Sequence, residues 1–460
     1  MLPDDTIVAP ATAPGRAAVG IIRLSGPQAL VLAGRVFTPM HGPAFADRHS
    51  HTLVHGLFRD GDELVDEMLA VAMRAPHSYT GEDVVEFQCH GSPAVSARVM
   101  TVLVRAGARP AQPGEFSRRA VMNGKMDLTQ AEAVAEVIAA VSDRALHAAV
   151  QQLGGALSHT AHGVRDRLLG LLAAIEAGIE FPDDVDAGDA GAEWRTKLGE
   201  TEGDIASLLS TADAGRLVHD GCRVAIAGRP NAGKSSLLNR LAREERALVT
   251  DIPGTTRDTI EVDVSIAGFA VRFIDTAGMR PARGIIERSG VARARRAIRS
   301  GDLVLWLADT SRRIAQAEIA RVAALARGVE VVWVWSKSDR ASRVPAAVRA
   351  AVAAQWPVLE ISANTGSGIA ALETLLTARL EQRLPMDDGQ VLLLRARHRE
   401  VLERAGAALA QARTAAETEA TIELAAEEVR TALAAVAELT GAVTAEDVLD
   451  RIFAGFCIGK

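Results

Sequence analysis

The chain has 460 residues, 48% of them hydrophobic, and a formal net charge of −7 at pH 7. That length predicts roughly two to four domains, and the negative balance means that any nucleic-acid binding must come from local basic patches. No apolar stretch is long and uncharged enough for a transmembrane helix, and MLPDDTIVAP lacks the basic-then-apolar pattern of a secretory signal.

Cys89, Cys222 and Cys457 lie far apart and are odd in number. That fits a reducing cytosol and argues against a disulfide framework. Of 51 basic residues only five are lysine: Lys125, Lys197, Lys234, Lys337 and Lys460. Arginine does not replace a compact ammonium at a tight site. In a chain so biased, each surviving lysine is a candidate for a position that needs one.

Residues 1–118 read as mixed α and β. Ala17 to Leu24 suits a strand and residues 27–36 a short helix. His51 to Phe58 and Leu64 to Met73 flank Asp60-Gly61, a hairpin signal. Val84 to Gln88 suits another strand, and a helical stretch runs from about Pro93 to Ala106. From Thr129 the period becomes helical. Thr129-Gln-Ala-Glu132 reads as a capping box. The helical pattern continues to about Glu180, breaks near Gly154 and Gly155, and stops at Phe181-Pro182. A second stretch covers about 192–214. Ala-rich helices of this length form bundles.

Residues 221–382 alternate strand and helix signals, with strands expected at 223–227, 260–266, 270–274, 303–308, 330–335 and 357–361. This pattern predicts a largely parallel sheet covered on both faces. After Leu384-Pro385 helices are expected at 392–416 and 421–439, with a last one from Thr444. The economical reading is one helical bundle with the α/β module inserted into it, because a domain's termini often lie close together. The expected division is 1–118, 119–218, 219–382 and 383–460.

The α/β module carries the strongest chemical signal. Strand Val224–Ala227 feeds Gly228-Arg-Pro-Asn231-Ala232-Gly233-Lys234-Ser235-Ser236, which fits G-x-x-x-x-G-K-[ST]. Gly228 and Gly233 permit a tight turn and close approach to phosphate oxygens. Successive N–H groups and the next helix N-terminus then face the anion. Lys234 supplies charge to the outer phosphates and Ser235 a hydroxyl for magnesium. Asp275-Thr276-Ala277-Gly278 ends a predicted strand, where the aspartate suits magnesium through water and Gly278 suits the terminal phosphate. Between them lies Thr250-Asp251-Ile252-Pro253-Gly254-Thr255-Thr256, a switch segment in which Thr255 or Thr256 suits magnesium.

Trp335-Ser336-Lys337-Ser-Asp339 resembles the guanine-reading N-K-x-D motif of GTPases. Asp339 would accept from guanine's ring N–H and amino group, which adenine does not offer. Ser362-Ala363-Asn364 resembles the last GTPase motif. Ser336 stands where the family has asparagine, and the shorter side chain is expected to cost one hydrogen bond, about 1 kcal/mol. Met279 stands where many small GTPases place a water-orienting glutamine, so another group must position water.

GRPNAGKS, TDIPGTTRD and DTAG, together with DTIVAPATAPGRAAVGIIRLSG, GEFSRRAVMNGKMDLTQAEAV and the terminal FCIGK, resemble the tRNA modification GTPases of the MnmE (TrmE) family over essentially the whole chain. The resemblance implies a multidomain α/β fold: an N-terminal α+β tetrahydrofolate-binding domain, a discontinuous helical domain and an inserted Ras-like P-loop GTPase domain. It implies a cytoplasmic homodimer working with the flavin-dependent MnmG (GidA) as a heterotetramer. That complex would add a carboxymethylaminomethyl or aminomethyl group to carbon 5 of wobble uridine in certain tRNAs. The carbon would come from 5-formyl- or 5,10-methylene-tetrahydrofolate, and potassium would drive hydrolysis of GTP.

Residue by residue, the resemblance implies potassium at Asn231, Thr250, Ile252 and Thr255, and magnesium at Ser235 and Thr256. It implies water orientation by Glu287 and folate binding by Arg23, Glu86, Lys125 and Lys460. A carboxylate such as Glu86 suits the pterin's paired N–H groups, and Arg23 and Lys125 suit carboxylate or carbonyl oxygens. Cys457 in FCIGK reads equally as a reactive or a packing cysteine. Seven arginines between Arg280 and Arg299 read as a solvated helix face in preference to a tRNA contact.

Two other functions fit parts of the pattern. A ribosome-assembly GTPase that only binds RNA and switches shares such phosphate loops, but it is expected to carry an RNA-binding module such as a KH domain, and the C-terminal region reads as helical. A folate-binding protein with a vestigial G domain is disfavoured by the intact nucleotide motifs.

Overall fold

The computed structural model describes residues 5–180, 189–244, 261–275, 297–383, 390–416, 422–442 and 446–460. Two compact units are formed. One contains residues 1–138, 152–202 and 404–460, the other 139–151 and 203–403.

In the first unit, alternation along strands β1 (Ile7–Pro10), β2 (Val19–Ser25) and β6 (Val84–His90) sorts side chains onto two faces. Val8, Ile22, Leu24, Val85 and Phe87 share one core with Leu32 of α1 (Ala29–Val36) and Val99 and Leu103 of α2 (Pro93–Ala106). Ile7 and Ala9 point the other way and pack with Phe116 of α3 (Glu115–Met122) and with Tyr79. Strands β3 (Phe37–Pro39), β4 (Leu53–Asp60), β5 (Glu63–Met73) and β7 (Arg109–Pro110) complete a seven-stranded sheet in the order β3-β4-β5-β6-β2-β1-β7. Only β1–β7 is parallel. The hairpin expected at Asp60-Gly61 joins β4 and β5, and Gly61 takes the positive φ of 60° that the turn requires.

Helix α4 (Leu128–Ala139) starts two residues earlier than the Thr129 capping box predicts. The cap is Asp127, whose Oδ1 accepts from the Gln130 N–H at 3.0 Å while Gln130 Oε1 accepts from the Asp127 N–H at 3.0 Å. The reciprocal geometry is that of a capping box, shifted because Thr129 donates its own hydroxyl to Asp127 and is fully buried. Helices α5 (Asp143–Leu153) and α6 (Ala156–Glu180) follow, the second entered through Gly155 at φ 91°. The long helical reading from 129 therefore has an additional break at 140–142. The stretch read as one helix over 192–214 is two, α7 (Asp189–Ser210) and α8 (Ala212–Asp220). At the break Thr211 turns its hydroxyl back onto the Leu208 carbonyl at 2.7 Å.

In the second unit a six-stranded sheet runs β13-β12-β11-β8-β10-β9. Its strands are β8 (Cys222–Gly228), β9 (Glu261–Ile266), β10 (Phe269–Asp275), β11 (Leu303–Asp309), β12 (Glu330–Ser336) and β13 (Val358–Glu360). All pairs are parallel except β9–β10. Both faces are buried. Val224 and Ile226 join a core with Leu237 and Leu241 of α9 (Lys234–Glu244) and Leu372 and Leu376 of α12 (Ile369–Arg383). Their neighbours Ala225 and Ala227 face Trp306, Trp333 and Trp335, with Val322 of α10 (Gln316–Leu325) and Val352 of α11 (Ala346–Ala353).

The last helices are α13 (Ala396–Ala415), α14 (Ile422–Thr440) and α15 (Glu446–Phe453). In the first unit α14, which follows the α/β module in sequence, packs on α6, with Arg430 paired to Glu176 at 2.6 Å. α6 and α14, from before and after the inserted sheet, thus share one unit, whereas most of α5 and all of α8 fall in the unit that holds the sheet. Among the described residues no helix is long and apolar enough to cross a membrane.

Candidate functional site

The nucleotide motifs converge at the carboxyl end of β8, β10, β11 and β12. β8 is the strand from which the chain passes first to β10 on one side and later to β11 on the other, the place where open α/β sheets bind ligands. Gly228 leaves β8 at φ 146°, and a side chain there would collide with the Leu307 carbonyl oxygen. Gly233, at φ 96°, opens α9. Lys234 is only 5% exposed and donates to the Gly228 and Arg229 carbonyls, each at 3.0 Å. Burial pulls its ammonium pKa down, and the nearby Asp275 carboxylate opposes that shift.

Parallel pairing of β10 with β8 sets Asp275 beside Ile226 and so brings it to the phosphate loop. Its Oδ2 accepts from the Ser235 hydroxyl at 3.3 Å, and the carboxylate is buried. A buried carboxylate and a hydroxyl at a helix N-terminus form an all-oxygen set that fits a hard divalent cation.

The base-reading residues surround a cavity of about 250 Å³ lined by Gly233, Ser336, Lys337, Asp339, Ala363 and Asn364 among others. Ser336 ends β12 fully inside the protein, and its hydroxyl donates to the Ala232 carbonyl at 2.6 Å. The short side chain in the asparagine position therefore reaches the phosphate loop. Lys337, at φ 58°, donates to the Asn231 carbonyl at 2.8 Å and to Asp309 at 2.7 Å. Asp339 accepts from the Ser362 hydroxyl at 2.6 Å, which holds its carboxyl below the usual range and its charge available to a base. Asn231 and Ser236 lie in the same loop and helix start. Thr250, Asp251, Ile252, Pro253, Gly254, Thr255, Thr256, Thr276, Ala277, Gly278, Met279, Glu287 and the arginines from Arg280 to Arg296 lie outside the described residues.

A second cluster lies in the first unit. Antiparallel register sets Arg23 of β2 directly opposite Glu86 of β6, and the pair closes at 2.8 Å with both side chains less than one-fifth exposed. The Arg23 guanidinium lies 5.3 Å from the Tyr79 ring centre and 5.7 Å from that of Phe116. The Tyr79 hydroxyl meets Ser117 of α3 at 2.7 Å, and burial pushes its pKa up. The C-terminal tail completes the cluster. Arg23 donates to the Gly459 carbonyl at 3.3 Å, and the Phe116 N–H donates to the Lys460 carbonyl at 3.2 Å. Gly459 sits at φ 93°, where a side chain would collide with the Pro10 carbonyl. Burial lowers the Lys460 pKa, and Arg23 adds to the shift.

Arg23, Glu86 and Lys460 are thus brought together, whereas Lys125 is exposed and donates to the Pro76 carbonyl at 3.0 Å. Lys125 acts on the loop that carries Tyr79. Cys457 is exposed, while Cys89 and Cys222 are buried, the Cys222 thiol being pushed up to about 12 by burial. The readings above missed Tyr79, Phe116 and Asp309. Tyr79 carried a signal, because it is the one tyrosine in the sequence.

A family profile described as the MnmE helical domain matches residues 128–457, and one described as the GTP-binding protein TrmE N-terminus matches residues 6–125. The tRNA modification GTPase MnmE of Symbiobacterium thermophilum is 43% identical over 464 residues, covering 99% of this chain and 100% of its own. The MnmE of Moorella thermoacetica is 43% identical over 463 residues with the same coverage. That of Geobacter sulfurreducens is 43% identical over 468 residues and covers both chains fully.

Replacing Ser336 by alanine leaves the buried Ala232 carbonyl without its donor, a cost of about 1–2 kcal/mol. The expected outcome is a melting temperature lower by about 2–8 °C, read by thermal unfolding of the full chain.

Proposed function

The chain belongs to the MnmE family of tRNA modification GTPases, and we propose on that basis that it couples GTP hydrolysis to folate-dependent modification of tRNA wobble uridine. The observation that carries the reading is the presence, in one chain, of two ligand-shaped polar clusters. One is the phosphate loop with Ser235 and Asp275. The other is the Arg23–Glu86 pair closed over by the C-terminal tail.

At the nucleotide, Lys234 supplies charge to the outer phosphates, Asp339 accepts from guanine, and the loop N–H groups orient the anion. Ser235, with Thr256, would hold magnesium, Asp275 acting through water. Asn231, with Thr250, Ile252 and Thr255, would hold potassium. Cations held there would offset charge that develops on the phosphates. Glu287 takes over the water-positioning task that Met279 does not perform.

At the second cluster, Glu86 would accept from the pterin's paired N–H groups. Arg23, Lys125 and Lys460 would meet carbonyl or carboxylate oxygens of a 5-formyl- or 5,10-methylene-tetrahydrofolate. Burial of the Arg23–Glu86 pair between Tyr79 and Phe116 excludes water from it and strengthens its directional bonds. The folate supplies a one-carbon unit, and the redox chemistry belongs to the flavin-dependent partner MnmG (GidA). The product would be a carboxymethylaminomethyl or aminomethyl group on carbon 5 of the uridine. The working unit is a cytoplasmic homodimer that joins the partner as a heterotetramer. Within the chain, 1–118 forms the folate and dimerisation domain, 119–218 and 383–460 the split helical domain, and 219–382 the G domain.

Two measurements test this. Calorimetric titration of the full chain with 5-formyl-tetrahydrofolate should show binding that Arg23→Ala weakens at least about 10-fold, since a charge-assisted bond and its pairing with Glu86 are lost. Unchanged binding in that variant would remove the folate assignment. GTP hydrolysis in potassium chloride should exceed that in sodium chloride at equal ionic strength, and Asn231→Ala should abolish the difference. Equal rates in both salts would remove the potassium site.

A further inference from the structure

We propose that Asp309 is a positioning residue for guanine-nucleotide binding: its carboxylate holds the Lys337 ammonium against the Asn231 carbonyl and so fastens the base-reading segment to the phosphate loop. Asp309 ends β11, and the parallel register places it beside Ser336, the residue before Lys337. One carboxylate oxygen, Oδ1, is taken by Ser311, which donates its N–H at 2.9 Å and its hydroxyl at 2.6 Å. That local turn aims the other oxygen, Oδ2, at the Lys337 ammonium, 2.7 Å away.

The same ammonium donates to the Asn231 carbonyl at 2.8 Å. Next to it the Ser336 hydroxyl donates to Ala232. Two consecutive residues of the base segment therefore grip two consecutive carbonyls of the phosphate loop. The serine link is short and stiff. The lysine link runs through a flexible four-carbon stem, which loses its rotamer freedom only while something holds its end.

Asp309 does this from the interior. Its side chain is 6% exposed, against 26% for Lys337. The neighbouring Arg312 stands further off, with Nε 3.8 Å from the same oxygen. A buried carboxylate persists only with such partners. Burial alone would push the Asp309 pKa up, but Lys337 and Ser311 hold it below the usual range, so the charge is present at neutral pH. The N–H of Thr310 and its hydroxyl also bond the Ser336 carbonyl, which ties the backbone after β11 to the same segment.

The test is a double-mutant cycle on the full chain with Asp309→Asn, Lys337→Met and the double variant. Asparagine is close in size and keeps an acceptor for Ser311, but it removes the charge that faces the ammonium. The readouts are the dissociation constant of a fluorescent GDP analogue and kcat and KM for GTP. Asp309→Asn should raise the dissociation constant and KM about 10-fold while kcat stays within about two-fold. In the Lys337→Met background the same substitution should change binding by less than about two-fold. Asp309→Glu, which keeps the charge, should recover most of the lost affinity. Wild-type binding by Asp309→Asn, an equal loss with and without Lys337, or a glutamate variant as weak as the asparagine variant would each overturn the proposal.

Discussion

An ammonium with almost no contact to water is the fixed point of the inserted module. Lys234 has two carbonyl acceptors, both in the loop that it closes, and a carboxylate at Asp275 within electrostatic reach. A buried charge without such partners would be strongly destabilising. The loop must therefore keep the turn that supplies those carbonyls, and only glycine fits at Gly228, where the Leu307 backbone presses against the Cα. The turn of the loop is thus held by contacts made within the chain itself. Sheet register does the rest. Parallel pairing about β8 delivers Asp275 from one side and Asp309 and Ser336 from the other.

The N-terminal unit solves a similar problem with antiparallel register. Arg23 and Glu86 are cross-strand partners, so their pairing follows from the same ladder that forms the core on the opposite face. α3 supplies Phe116 on one side and anchors Tyr79 through Ser117 on the other. That helix is itself held by Arg119, fully buried and bonded to Asp5 at 2.6 Å and to Glu82 at 3.1 Å. The last two residues of the chain then lie on this assembly, with a glycine where any side chain would strike Pro10. A polar cluster closed over by the last residues ties both ends of the sequence into one structural unit.

Much of this was legible in the sequence because the chemistry is local. A phosphate loop needs its glycines and lysine in consecutive positions, and all six strands of the inserted module were expected within a residue or two of where they lie. Non-local features were harder. The cap at Asp127 depends on where Thr129 is buried, and the break at Thr211 depends on a hydroxyl turning back onto its own helix. The shortness of Ser336 suggested a lost bond, whereas its position at the very end of β12 lets a short arm reach Ala232. Arg23, Glu86 and Lys460 are 63 and 374 residues apart in successive steps of the chain, so no local pattern could join them. The family resemblance did, and it also grouped with them Lys125, which bonds the Pro76 carbonyl in the loop that carries Tyr79.

The most direct measurement is nucleoside mass spectrometry of tRNA from a bacterium that lacks its own gene for this function and expresses this chain in its place. The account predicts that the wild-type chain restores the modified wobble uridine, and that Lys234→Ala and Arg23→Ala each fail to do so while remaining folded. Full GTP hydrolysis by the wild-type chain with no modified uridine would contradict it and would leave a nucleotide switch without the modification chemistry.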